Sequence, residues 1–352
     1  MFGFKELLIK DIYKGTPPAA PTKVTLQITD LCNLRCEFCL QHSTLKKKYQ
    51  GLGHVPFSWA NDLIKELAEM GTKEICLIGK GEPSVHPDFP KIVETIKEHK
   101  ILLDIYTNLS ARSQSVISAY ALADSLLINL SAVDEKSYKA IHGITTPKAF
   151  HQVLSNIASL KNGSISQHSP VLRISYIVTK NNFRYIEKAI ELAESNGISS
   201  IQFKNMIAQS DTKKLLLDKK ERIELVKMIS KLLLREHKVG LNLKELRQEL
   251  LSDQRTTNPF SHCFMGWFTL SIEQRGHLTL CCRNKLLYIG KWKKNSLRDI
   301  WTGTKAQRYR ILARDCFDHK KLFGQQCDFC SYAAVNSYIE AVLKERLPRI
   351  KS

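Results

Sequence analysis

Cys32, Cys36 and Cys39 stand in the run Thr-Asp-Leu-Cys-Asn-Leu-Arg-Cys-Glu-Phe-Cys, directly after an apolar stretch at 24–28. Three thiolates at that spacing suit an iron–sulfur cluster, because one short loop can fold each sulfur onto a different iron. A closed cluster takes four cysteines and this run supplies three, which leaves one iron open to a ligand that is not protein. Half of a zinc site is the other chemistry available to three cysteines in so short a window.

A second constellation lies in the last third of the chain: Cys263, Gly276, Cys281 and the pair Cys327-Asp-Phe-Cys330. The final pair puts two thiolates on one turn, and four sulfurs together would close a cluster or build a zinc ribbon. Cys282 and Cys316 are left over, as core thiols or as hydrogen-atom donors beside a substrate. Cys76 falls inside an apolar run and reads as packing. Ten cysteines in such close groups, with no export signal, point to metal or catalysis in a reducing compartment rather than to disulfides. The eleven histidines show no metal-like pair at helical spacing; His42 and His86 read as hydrogen-bonding residues near the cysteine and glycine-rich loops.

Six apolar runs, at 24–28, 74–78, 102–107, 125–130, 171–178 and 200–204, read as strands. Amphipathic stretches at 59–70, 90–99, 150–160 and 185–195 alternate with them as helices. Met70-Gly71, Asn162-Gly163 and Asn196-Gly197 close helices where a left-handed cap favours glycine. Six βα repeats imply an α/β fold with helices outside a parallel sheet. Because six strands are too few for a complete eight-stranded barrel, an open, partial (β/α)6 barrel is expected. Its working groups belong at the carboxyl ends of the strands, and the first cysteine run follows the first strand as that rule requires. Residues 213–237 read as one long helix, 243–254 as a less regular linker, and 336–349 as a closing helix. The expected divisions are an N-terminal extension (1–22), the barrel (23–240), a linker (241–254), a small C-terminal iron–sulfur domain (255–335) and a C-terminal helix (336–352).

Among the 352 residues, 53 Lys and Arg face 34 Asp and Glu, a net charge of +19, and 43% are hydrophobic. No apolar run approaches the roughly 18 residues a membrane span needs, and the charged start is no secretory signal, so a cytoplasmic location is expected. The basic excess occurs in short groups, at 46–48, 213–214, 219–220, 291–294 and 320–321. It suits a solvated basic surface, attracts anionic partners, and leaves nucleic acid open.

With these motifs the chain resembles the radical S-adenosylmethionine enzymes over most of residues 23–335. The resemblance implies that Cys32, Cys36 and Cys39 bind a [4Fe–4S] cluster whose unique iron is chelated by the amino and carboxylate groups of S-adenosylmethionine, with Phe38 near the adenine. Gly79-Lys80-Gly81-Glu82-Pro83 is similar to the family's Gly-Gly-Glu-Pro turn, departing from it at Lys80. It implies that Gly81, Glu82 and Pro83 meet the methionine ammonium group, with Glu82 as the counter-charge or else paired structurally with Lys80. Thr107-Asn108 and Asn129-Leu-Ser131, at the ends of the third and fourth strands, would reach the methionine and ribose, although such residues are also common caps and turn formers. The 134–143 segment looks like the family's segment after strand four. Met206 either closes over adenine or packs in the core. Cys263, Gly276, Cys281, Cys327 and Cys330, with Ile289-Gly290 and Ser296-Leu-Arg-Asp-Ile-Trp301, resemble the auxiliary-cluster domain called SPASM or, when shorter, twitch. Too few cysteines are present for two auxiliary clusters, so one [4Fe–4S] is expected there.

By this resemblance the chain reductively cleaves S-adenosylmethionine to a 5′-deoxyadenosyl radical, which takes hydrogen from a C–H of a small polar substrate of sugar or aminocyclitol type. The outcome is oxidation, or epimerisation if Cys282 or Cys316 returns a hydrogen atom. The 22 or so residues ahead of the first strand read as too few for the leader-peptide domain that many peptide-modifying relatives carry. A maturase of ribosomally made peptides is the alternative, followed by an RNA-modifying radical enzyme and a zinc-stabilised nucleic-acid-binding protein. The partners implied are an anionic small-molecule or peptide substrate and a flavodoxin- or ferredoxin-type electron donor, with no membrane.

Overall fold

The computed structural model describes residues 9–47, 49–144, 146–162, 169–252, 262–315, 324, 327, 330 and 332–346. In chain order its elements are β1 (Lys23–Leu26), α1 (Phe57–Met70), β2 (Glu74–Leu77), α2 (Phe89–Glu98), β3 (Leu102–Thr107), α3 (Gln114–Ala121), β4 (Ser125–Asn129), α4 (Glu135–His142), α5 (Ala149–Lys161), β5 (Val171–Val178), α6 (Ile186–Ser195) and β6 (Ser200–Asn205). After these come α7 (Lys219–Leu232), β7 (Gly240–Leu241), α8 (Leu243–Leu251), β8 (Thr269–Ile272), β9 (His277–Thr279), β10 (Tyr288–Lys291), α9 (Leu297–Thr302), α10 (Thr304–Asp315) and α11 (Ala333–Arg346). The described residues fall into two compact units, one drawn from 27–60 and 77–253, the other from 1–26, 61–76 and 254–352.

In the larger unit β3, β4, β5, β6 and β7 run parallel in that order, in registers that pair Thr107 with Ile128, Asn129 with Ser175, and Val178 with Asn205. The strands are apolar on both faces: Leu126, Leu127 and Ile128 are all buried, as a sheet covered on two sides requires. Helix α2 shows how the cover forms, with Phe89, Ile92, Val93 and Ile96 buried at the spacing of one helical face. Parallel pairing aligns the strand ends, so the loops after Thr107, Asn129 and Val178 leave from one edge of the sheet.

In the smaller unit β8 pairs parallel with β1, and β8, β9 and β10 form an antiparallel meander. Its first turn has Gly276 in the left-handed region, φ 74°. Ile12, Phe264, Trp267, Ile339 and Leu343 make one apolar cluster, and burying each side chain of this size contributes about 2 kcal/mol. Arg310 is fully buried: it stacks over Trp301 at 4.1 Å, while its Nε donates to the Gly266 carbonyl at 2.8 Å.

All six expected strands and all four expected helices are present, their ends shifted by no more than two residues. The short β7 adds a further parallel strand, pairing Gly240 with Ser200. The expected long helix over 213–237 is instead a 3-10 turn at Ser210–Leu215 followed by α7. Leu216 is extended, with ψ 144°, and Asp218 accepts from the Glu221 amide in a capping box that starts a new helix. The expected linker at 241–254 contains α8, with Leu243, Leu246 and Leu250 buried. Asn242 holds it in place, because its side chain accepts from Phe203 N and donates to Phe203 O as a strand neighbour would. The closing helix is α11, which begins three residues ahead of its expected start.

Candidate functional site

The loop after β1 holds Cys32, Cys36 and Cys39 within the larger unit. Thr29 bridges to His54, and the buried Asp30 accepts from the amides of Leu52 and Gly53 and from the Tyr49 hydroxyl, so a second loop braces the first. Main-chain amides point at the sulfurs: Leu34 N at Cys32 (3.5 Å), and Gln41 N and His42 N at Cys39 (3.4 and 3.2 Å). Burial pushes the Cys32 thiol up to about 12, with the Glu82 charge adding to it. Burial also raises Cys36, as do the charges of Cys32 and Cys39. Three sulfurs that feel one another in a half-buried loop are expensive as bare thiolates and are stabilised when a cation neutralises them.

Two glycines let other loops reach this one. A Cβ on Gly81 would lie 2.2 Å from the Leu31 carbonyl, which accepts from Glu82 N at 2.9 Å. A Cβ on Gly143, where φ is 61°, would lie 2.3 Å from the Arg35 carbonyl. There the end of α4 binds the cysteine loop, Arg35 N donating to His142 O and Glu37 N to Ile141 O.

Glu82 is buried among donors. Its Oε1 accepts from Ser84 and from Thr107 Oγ1 (2.8 Å), with the Tyr120 hydroxyl 3.1 Å away, and Oε2 accepts from Asn108 N at 2.7 Å. Burial raises its pKa, and the bonds from Asn108, Thr107 and Ser84 oppose the rise. Pro83 is buried at the start of a 3-10 turn. Asn108 donates to Asn33 Oδ1 at 2.9 Å, so the β3 loop is tied directly to the cysteine loop. Phe38 is mostly buried and meets the His142 ring edge-on. Asn129 is half-buried and accepts a 3.4 Å bond from Ser131, whose hydroxyl in turn accepts from Ile177 N at 2.9 Å. Met206 is buried. His42 contacts the Asp30 carbonyl at 2.9 Å, and His86 the Val55 carbonyl at 2.8 Å.

Several residues that sequence reasoning passed over belong to this site. His142 is fully buried and joins Cys36 to Ser131. Asn156 donates to the carbonyls of Leu109 and Ala111, holding a loop in which Leu109 takes φ 51°. Glu37 accepts from Thr179 and Asn181, and Asn182 donates to Ser131 O. Only His142 carried a sequence signal, through its place in the 134–143 segment.

In the smaller unit Cys263, Cys281, Cys327 and Cys330 form a second thiol group. Burial pushes Cys263 up to about 12, with the charges of Cys330 and Cys327 adding to it. Asn336 on α11 accepts from Phe264 N at 2.8 Å and points its amide at Cys263 Sγ, while Asn284 does the same for Cys327. Cys282 is exposed, and the hydrogen bond it shares with Cys281 raises Cys281 and holds Cys282 down at about 6. Cys316 lies outside the described residues, and Cys76 is buried in β2. Among the described residues no three His, Cys, Asp or Glu side chains converge on a point that would hold a single metal ion. A cubane asks for no such point, since each thiolate meets its own iron.

Comparison with known proteins gives this arrangement a family. Residues 26–193 match the Radical SAM superfamily, and residues 263–331 match SPASM, an iron-sulfur cluster-binding domain. The chain thus carries a radical SAM domain followed by a C-terminal SPASM domain. The GTP 3′,8-cyclase of Psychromonas ingrahamii is 31% identical over 147 residues, 39% of this chain and 40% of that protein. The S-adenosylmethionine-dependent nucleotide dehydratase of Lacinutrix mariniflava is 26% identical over 186 residues, 51% of this chain and 37% of that protein. The chain thus spans about 40% of the length of the curated relatives it matches. Among solved structures, Streptococcus suis SuiB bound to precursor peptide SuiA has a TM-score of 0.64 at 16% identity, covering 94% of this chain and 76% of that one. Native anSMEcpe with bound AdoMet has a TM-score of 0.61 at 16% identity, covering 93% of this chain and 98% of that one. Likeness at this identity shows the fold, an α/β partial barrel with a C-terminal iron–sulfur domain. Among the described residues no helix is long and apolar enough to cross a membrane.

The two domains imply a [4Fe–4S] cluster, S-adenosylmethionine and an auxiliary cluster, and the residues present fit them. The first loop offers three mutually felt thiols under amide donors, and the C-terminal domain offers four.

Proposed function

We propose that the chain is a radical S-adenosylmethionine enzyme acting on a small anionic substrate, a nucleotide or a nucleotide-linked sugar. When bound, the reduced cluster and S-adenosylmethionine together supply a 5′-deoxyadenosyl radical that takes a hydrogen atom from an unactivated substrate carbon. Cys32, Cys36 and Cys39 hold the first cluster; Cys263, Cys281, Cys327 and Cys330 hold the auxiliary one. Glu82 presents a carboxylate fixed by Thr107, Asn108 and Ser84, where it can face an ammonium group without reorganising. Phe38 offers an apolar wall for the adenine.

The observation carrying this proposal is the cysteine loop itself, three thiols in one another's field beside a fixed carboxylate. The substrate class is supported by the net charge of +19 and by the curated relatives, whose names are those of nucleotide enzymes. A peptide is the second reading, favoured by likeness to SuiB over 94% of this chain.

Anaerobic reconstitution should load about eight irons per chain, for two [4Fe–4S] clusters. Reductant should then convert S-adenosylmethionine to 5′-deoxyadenosine, and Cys36→Ala should abolish that conversion. Bound zinc without cleavage would contradict the enzyme. Deuterated nucleotides and nucleotide sugars should pass deuterium into 5′-deoxyadenosine; transfer from a labelled peptide alone would replace the substrate class.

A further inference from the structure

We propose that His142 tunes the first cluster by donating its Nδ1–H to the sulfur of Cys36, in a tautomer fixed by the backbone of Ser131. His142 ends α4 and has no exposed surface. Its Nε2 lies 3.1 Å from Ser131 N. A backbone amide only donates, so Nε2 holds a lone pair there. A neutral imidazole has one N–H, which must then sit on Nδ1, and Nδ1 lies 3.2 Å from Cys36 Sγ. An imidazolium is disfavoured by the same geometry, because it would set an Nε2–H against the Ser131 amide.

The ring has no freedom to leave. Tyr138 stacks on it at 4.5 Å between centroids, and Phe38 meets it edge-on at 5.9 Å. Its amide partner is itself pinned, since Ser131 O accepts from Asn182 and Ser131 Oγ accepts from Ile177 N. The Nδ1–H therefore points at Cys36 through contacts made within the fold itself. A sulfur that binds iron keeps lone pairs, and an N–H donor in a dry site stabilises the more negative, reduced state. Hydrogen bonds to the sulfurs raise the potential at which an electron enters. His142 meets Cys36, Ser131, Tyr138 and Phe38, so its proposed part is that of a positioning residue whose effect is read at the cluster.

The inference rests on the proposed cluster at Cys32, Cys36 and Cys39, and the test separates the two. Reconstituted wild-type protein is first checked for iron content and for the change that S-adenosylmethionine makes in the electron paramagnetic resonance (EPR) signal of the reduced cluster. Without that change both proposals fall. With it, EPR-monitored redox titration of His142→Phe should show the reduced-to-oxidised ratio at a fixed potential about tenfold lower, which for a one-electron couple is 59 mV. His142→Asn, which can place an amide near the Nδ1 position, should recover much of the loss. A potential unchanged in His142→Phe at full iron loading overturns the tuning role while leaving the cluster assignment intact. Wild-type protein labelled with 15N in the histidine ring alone gives a reading that needs no variant to fold. Pulsed EPR of its reduced cluster should show a coupled ring nitrogen, and its absence also overturns the proposal.

Discussion

Glu82 gathers hydrogen-bond donors on both of its oxygens while being only 4% exposed. Asn108 N faces Oε2 at 2.7 Å, and Thr107 Oγ1 faces Oε1 at 2.8 Å. The Tyr120 hydroxyl stands behind them, 2.6 Å from Thr107 Oγ1. Glu82→Gln keeps an acceptor at one oxygen but turns an NH2 toward a donor at the other, so a buried donor loses its partner. That should lower stability by about 2 kcal/mol, read as a shift of the urea midpoint at constant slope. Glu82→Ala strands the donors on both sides and should cost more, about 3 kcal/mol. Both variants should lose S-adenosylmethionine cleavage at full iron loading. If both cleave like wild type, the carboxylate is only a structural hub. Arg310 is the contrasting buried charge, for burial depresses its guanidinium to about 9 and no carboxylate is among its described partners. Stacking on Trp301 compensates it in part, so Arg310→Met is expected to be close to neutral in the same measurement, whereas Arg310→Ala leaves a cavity and destabilises.

At the scale of elements, α4 brings the cysteine loop its partner, and its N-terminus decides whether the helix holds. Asp134 accepts from Ser137 N at 2.7 Å, and the Ser137 hydroxyl closes the box. The bonds from Ser137 hold the Asp134 carboxyl below its ordinary 3.8. A depressed carboxyl adds stability above its unfolded value and loses it as pH falls through the folded one. Asp134→Ala should therefore cost about 1 kcal/mol across roughly pH 5 to 8, with the difference from wild type closing below about pH 4. A difference that persists at low pH would assign the effect to packing rather than to the charge. The strands around α4 were legible in the sequence because buried parallel strands are unbroken apolar runs; 102–107 and 171–178 match to the residue. The cysteines and the glycine turn were legible because metal chemistry and close backbone approach restrict residue type. What could not be read was reciprocal placement. His142 faces Cys36 across 106 positions of chain, and Asn156 reaches Leu109 across 47. Nothing in local periodicity marks such pairs. The two misread stretches fail for local reasons: Asp218 looks like one more charged helix residue until it caps, and Asn242 like a linker residue until it mimics a strand.

For the whole molecule the governing quantity is charge. A net +19 sets up a positive field that draws anions from beyond contact distance, and the field shortens as salt shrinks the Debye length to about 8 Å at 0.15 M. The proposed chemistry takes an electron from outside, and an acidic flavodoxin supplying it would be steered by that field. The rate at which reduced flavodoxin reduces the cluster should then fall at least threefold or so between about 50 and 300 mM NaCl, measured by stopped-flow bleaching of the iron–sulfur absorbance. Photoreduced neutral deazaflavin feels no such steering, and its rate should change little over the same range. The same contrast bears on substrate. Since KM for a nucleotide contains the field and KM for a neutral sugar does not, only the first should rise with salt. Equal salt response for flavodoxin and deazaflavin would mean that the basic residues are too dispersed to act as a field, and that the excess of lysine serves only to keep the surface solvated.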